Sequence, residues 1–200
     1  MRTVVFLDYQ NVYHRAREAF FFGHEPSSVG AVDPLSIGTL LAAKGLAASR
    51  LAQVRVYRGV PDPARDSRGY QAAMRQVAAH DKRGGGLVHH RLRPLQYPRA
   101  WPRERAREKG IDAALAVDFV ALALEGAFHV GVIFSTDTDL RPALEAVVVR
   151  GRAPKCEVAA WQRPTGRSPR LSIPLFPLWC HWLSRADFDA VADTTNHAGG

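Results

Sequence analysis

Cysteine is almost absent from this chain. Its two residues, Cys156 and Cys180, stand far apart with no CxxC or Cys/His pairing, which excludes a disulfide framework or a tetrahedral zinc site and makes both core thiols. Long apolar runs are absent too, as is a charged-then-apolar leader, so the reading is a soluble, unexported, cytoplasmic protein with no membrane partner. The turn DYQNVY, which follows the first apolar run, contains no glycine, and a dinucleotide-binding enzyme would need one there. Gln10 stands where a phosphatase built on a strand-end aspartate nucleophile would carry its second acid. The eight histidines are scattered, and the adjacent pair His89–His90 lacks a third ligand for a metal and reads as surface. Lysine is scarce beside arginine, and no internal repeat is seen.

What remains is a basic chain of 200 residues, the size of one large domain with ample chain for a core. A net charge of +8 and a pI near 10.1 make the surface attractive to a polyanion, nucleic acid above all. Strands are expected at 3–8, 51–59, the short stretch after GGGLV, 130–136 and, as the last, around 155–161. Helices are expected from Asn11 to about Phe22, over 34–49, 70–82 and 110–125, and from about Leu140 to Arg150. This alternation predicts an α/β fold: a three-layer α/β/α sandwich around a mostly parallel sheet. Residues 162–200 are expected to form a C-terminal extension packed on the same body, with the end, TTNHAGG, fraying.

Against that basic background, three segments concentrate acid: VVFLDYQNV (4–12), KGIDAALAVDFVALAL (109–124) and VGVIFSTDTDL (130–140). In the first and third, an apolar β-branched run ends abruptly, at Asp8 and at Asp137 and Asp139. Carboxylates at the carboxyl ends of parallel strands converge in one crevice, and clustered oxygen ligands suit a hard divalent cation such as Mg2+ or Mn2+. Asp8 can also serve as a helix N-cap, with Asn11 a turn later able to bond Asp8 or a phosphate. Asp112 and Asp118, six residues apart on one helix, lie on different faces; Asp112 is the better placed, and Asp118, in apolar surroundings, needs a partner or a metal. Ser135 and Thr136 can donate to the neighbouring carboxylates or to phosphate. Between His89 and Lys109 the arginines Arg91, Arg93, Arg99, Arg103, Arg105 and Arg107, with Lys109, interleave with Tyr97 and Trp101, a pattern suited to single-stranded RNA, phosphates on guanidinium groups and bases on rings. The bland reading of that stretch is a proline-broken exposed loop ahead of a solvated helix start.

FLDYQN, KGIDAALAVD and FSTDTDL together resemble the signature of the NYN domain family, PIN-like nucleases, in the family's order and spacing over roughly residues 1–160. The usual third motif, SGDSDF, has Thr136 for its glycine and Leu140 for its phenylalanine here, and Tyr9-Gln10 stands where glycine is frequent. The resemblance implies that residues 1–161 form a PIN-like nuclease domain with Mg2+- or Mn2+-dependent ribonuclease activity. It places Asp8, Asp112 and Asp137 as metal-binding and catalytic, with Asn11, Asp118, Asp139, Ser135 and Thr136 in support. The rival class is a non-catalytic RNA-binding or adaptor protein that keeps the fold. Homo-oligomerisation is left open by the sequence.

Overall fold

Every side chain from Thr3 to Asp8 is buried, as a strand requires when both faces of its sheet are covered. In the computed structural model, which describes residues 1–26, 28–45, 49–149, 155–174 and 176–197, this strand β1 (Arg2–Asp8) lies inside a six-stranded sheet. The other strands are β2 (Arg50–Val60), β3 (Val88–Pro94), β4 (Val130–Phe134), β5 (Lys155–Trp161) and β6 (Trp179–Leu183), all parallel in the order β3-β2-β1-β4-β5-β6.

Period-2 alternation splits the core in two. Val5 and Leu7 face one layer, with Val12, Ala16 and Phe20 of α1 (Tyr9–Phe20), Ile37 and Leu41 of α2 (Pro34–Lys44) and Phe188 of α6 (Arg185–Val191). Val4 and Phe6 face the other, with Leu115 and Phe119 of α4 (Ile111–Leu124) and Leu144 of α5 (Arg141–Val148). Phe6 meets Phe119 edge to face at 5.1 Å, and burying each such ring contributes about 2–3 kcal/mol. The remaining helix, α3 (Ser67–Gly84), contacts α2 and β3 on the α1 side. The predicted three-layer α/β/α sandwich is therefore the fold.

The chain builds outward to β3 on one side and to β6 on the other, so its strand order reverses between β1 and β4. That makes the gap between these strands' carboxyl ends the topological switch point, where open α/β sheets form crevices. The sequence reading ended the sheet at β5, whereas β6 pairs with it, Val158 against Cys180, and α6 follows with a Ser184–Asp187 capping box. Fraying was expected over the TTNHAGG end, but part of it is tied down: Thr195 N–H donates to Asp193 Oδ1 at 3.1 Å and Arg75 Nε to His197 O at 2.9 Å. Residues 198–200 lie outside the described residues. Cys180 is buried and Cys156 half-buried, and neither is in a disulfide. No helix among the described residues is long and apolar enough to cross a membrane.

Candidate active site

Leu7 of β1 pairs with Phe134 of β4, so the two residues that follow, Asp8 and Ser135, meet at the sheet's mouth. Asp8 caps α1: its Oδ1 accepts from Asn11 N–H at 3.3 Å, and its Oδ2 accepts from the Ser135 hydroxyl at 2.8 Å. Ser135 is fully buried, and its Oγ also accepts from Asp137 N–H at 3.1 Å. Asp137 caps a short 3-10 turn, Thr138–Leu140, by accepting from Asp139 N–H at 3.0 Å. Cap and candidate ligand are thus the same side chain at both strand ends. Thr136 does not donate to an acid, as expected, but to Asn11 Oδ1, from its hydroxyl at 3.2 Å and its N–H at 3.1 Å. Arg15 Nε donates to Thr136 Oγ1 at 2.9 Å. Asn11 therefore pins the turn after β4 to α1 with its side-chain carbonyl instead of reaching toward Asp8.

The sequence reading missed a fourth acid, Glu108. It accepts from the backbone N–H of Gly59 near the end of β2, and only glycine fits there, since a Cβ would collide with the side chains of Glu108 and Leu95. Two residues on, Gly110 takes φ 72 as the cap of α4, a left-handed conformation that turns the chain into the helix carrying Asp112. The signal was the KG before ID, which marks a sharp turn with an acid on each side.

Burial pushes the Asp8 carboxyl up to about 6, with Glu108 and Asp137 adding to the rise and the Ser135 and Asn11 hydrogen bonds opposing it. Burial also raises Glu108, and Asp112 adds to that rise, while the Gly59 N–H and Arg58 oppose it. Asp8 therefore feels Glu108 and Asp137, and Glu108 in turn feels Asp112, along one mouth. None of the four holds an ion pair among the described residues.

Asp118, Asp139 and part of the basic set stand elsewhere. Asp118 Oδ2 accepts from Arg55 at 2.8 Å, the Tyr57 hydroxyl at 2.9 Å and Arg91 at 3.1 Å, so its partner is a guanidinium on β2 and no metal is needed. Burial works against its charge, but these bonds outweigh it and hold the carboxyl below its usual range. Asp118→Ala leaves the buried Arg55 without its carboxylate and is expected to cost about 2 kcal/mol. Asp112→Ala should cost under about 0.5 kcal/mol. Urea midpoints of the two variants check this contrast. Asp139 is exposed and offers its N–H to Asp137. Arg91, with its side chain still half exposed, pairs with Asp118.

Arg93 lies near the end of β3, and the other basic residues on the connection from β3 to α4, closed by an antiparallel bridge between Gln96 and Arg107. Arg93, Arg99, Arg103, Arg105, Arg107 and Lys109 are exposed and hold no ion pair among the described residues. Trp101 packs edge to face on Tyr97 at 4.9 Å, and Arg65 covers that ring at 5.2 Å. Arg105 stands near enough to α1 to help, after burial and Arg17, in lowering the pKa of His14.

A separate cluster lies on the α3 side. His80 Nε2 and His197 Nε2 stand 3.1 and 3.0 Å from Asp193 Oδ2, and Gln76 Nε2 donates to the same oxygen at 3.1 Å. These three side chains bring ligand atoms within 4.8 Å of one another, and among the described residues the mouth carboxylates form no such trio. His90, expected at the surface, has its side chain buried and stacked on His80 at 5.8 Å, and burial lowers it to about 4.

The sequence profile of the NYN domain matches residues 2–165. The chain belongs to the NYN domain family. This NYN domain is also similar in fold to a crystal structure from Vibrio parahaemolyticus, a protein of unknown function, at 19% identity, TM-score 0.49, 79% of this chain and 80% of that one. No curated protein sequence matches it. The family match ends at Thr165, so the third acid segment and β5 fall inside the NYN match, and β6 and α6 fall outside it.

Proposed function

We propose that this NYN domain is a metal-dependent ribonuclease that hydrolyses phosphodiester bonds of single-stranded RNA, with Asp8, Asp112, Asp137 and Glu108 holding Mg2+ or Mn2+. One observation carries the reading. In a chain of net charge +8, four carboxylates crowd one mouth with no ion pair among the described residues, while Asp33, Asp118 and Asp187 each hold an arginine or lysine. Mutual repulsion in a partly buried mouth favours a cation over an empty site. The spacing also fits a hard ion, because Mg2+ keeps several waters and takes only one or two carboxylates directly.

A divalent cation bound there supplies Lewis-acid stabilisation of the phosphate and acidifies a water toward neutrality. The protein's part is positioning. The Ser135 hydroxyl fixes one oxygen of Asp8, the Gly59 N–H fixes Glu108, and the exposed arginines of the 93–107 loop steer the strand to the mouth, weakening as salt rises. In-line hydrolysis then forms the bond from water oxygen to phosphorus and breaks the bond to the 3′ oxygen, leaving a 5′-phosphate and a 3′-hydroxyl. The test is labelled single-stranded RNA with Mg2+, Mn2+ or EDTA. Cleavage with either metal, none in EDTA and 5′-phosphate products are expected. RNA bound but intact under every metal would instead make the protein a non-catalytic adaptor.

A further inference from the structure

Beyond the mouth, on the side away from the 93–107 loop, the carboxyl ends of β4, β5 and β6 enclose a cleft of about 830 Å³. Five arginines line it: Arg15, Arg141, Arg163, Arg167 and Arg170. Glu18 serves two of them from the rim, 2.7 Å from Arg15 and 3.4 Å from Arg163. Arg141 and Arg167 are exposed and hold no ion pair among the described residues, so their charge contributes nothing visible to the fold. Like charges gathered in a concave surface raise the local concentration of a polyanion.

The cleft is continuous with the acids. Thr136, on its wall, sits between Ser135 and Asp137 and accepts the hydrogen bond from Arg15. Trp182, from β6, is partly exposed on the opposite wall, with the Arg170 guanidinium 6.0 Å from its ring centroid. Guanidinium groups for phosphates beside a ring that offers a face to a base are the recurring parts of a single-strand track. Arg167, Arg170 and Trp182 lie beyond the NYN match, so this chain's own extension builds that half of the cleft.

We propose that this cleft is a second RNA-backbone site, which grips the phosphates on one side of the mouth while the 93–107 loop holds the other. The proposal rests on the ribonuclease reading for its substrate class. It makes the RNA path a line across the carboxyl ends of the sheet: arginine loop, acids, arginine cleft.

The test is fluorescence anisotropy of a labelled 20-nucleotide single strand, read in EDTA so that binding is independent of cleavage, across a range of salt. The double variant Arg141→Ala/Arg167→Ala is expected to bind about tenfold more weakly, with its salt slope shallower by about 1.4, from about 0.7 per lost phosphate contact. The control Arg50→Ala/Lys155→Ala removes the same charge from the opposite edge of the sheet and should stay within about twofold of wild type. Melting temperatures confirm that both fold, and Arg167→Gln alone serves if the double does not. Equal losses in the two doubles, or no loss in the first, overturn the proposal. So does preferential, cleft-dependent binding of polyglutamate over RNA, which would make the cleft a seat for an acidic protein. A wild type that never cleaves, yet releases RNA when Arg141 and Arg167 are lost, supports the cleft and overturns only the nuclease reading.

Discussion

Asp8→Asn is expected to lower metal-dependent RNA cleavage by at least about 10²-fold and, in the same molecule, to raise stability at neutral pH. The first effect follows from removing the central charge of the mouth. The second follows from the cost of keeping that charge there. The Asp8 carboxyl rises from 3.8 to about 6 because it is buried, with Glu108 and Asp137 nearby. Between those two values the folded protein holds a proton that the unfolded chain has released, so stability falls as pH rises through this window. Above it the full cost applies, on the order of 3 kcal/mol. Asparagine removes the charge but leaves the Ser135 hydroxyl to find a new acceptor, so the net gain is smaller, about 1–2 kcal/mol. In EDTA at pH 7.5 the variant should melt about 2–8 °C higher than wild type, and at pH 4 that advantage should be gone, with the variant no more stable than wild type. Mn2+ should raise the melting temperature of wild type and leave the variant unmoved. A variant that cleaves normally, or one less stable than wild type at pH 7.5, would sink the assignment.

Glu108→Gln tests the acid that the motifs do not contain. Glutamine keeps a side-chain oxygen to accept from Gly59 N–H, so the loop geometry survives and only the charge is lost. Cleavage at limiting Mn2+ is expected to fall about 10–100-fold, and the Mn2+ needed for half-maximal rate to rise about tenfold, with RNA affinity in EDTA unchanged. That split separates a residue acting on the ion from one that merely supports the loop, which would move stability and RNA binding as well. An unaltered Mn2+ requirement would return Glu108 to a structural role.

The strand-end acids were legible because β1 and β4 are short, apolar and end abruptly, which is all that is needed to place Asp8, Ser135 and Asp137 at one edge of a parallel sheet. Asp118 was read as needing a partner or a metal, and which partner it takes was not legible. Helical periodicity gives the face it occupies, but Arg55 lies 63 residues away on a strand whose register no local pattern reveals. Glu108 was hidden in a run of Arg and Glu that read as solvated, and its place depends on Gly59 and on the bridge between Gln96 and Arg107, both non-local. Strand β6 escaped because Trp179–Leu183 alternates poorly. His181 within it is buried against Glu157 at 2.7 Å, a polar pair that breaks the apolar pattern of an inner strand. Arg141 and Arg167 are far apart in sequence, so the cleft appears only when β4 and β5 lie side by side.

The hydrogen bond between Ser135 and Asp8 spans 127 residues. During synthesis, Asp8 therefore emerges early as a solitary acid, and the neighbours that turn it into a charged pocket are made only after most of the sheet's strands exist. Contacts of such long sequence separation are among the last that a chain can close. A growing copy, surrounded by the RNA that directs its own assembly, lacks the assembled pocket, so the proposed chemistry is withheld at least until β4 and the turn after it have been made.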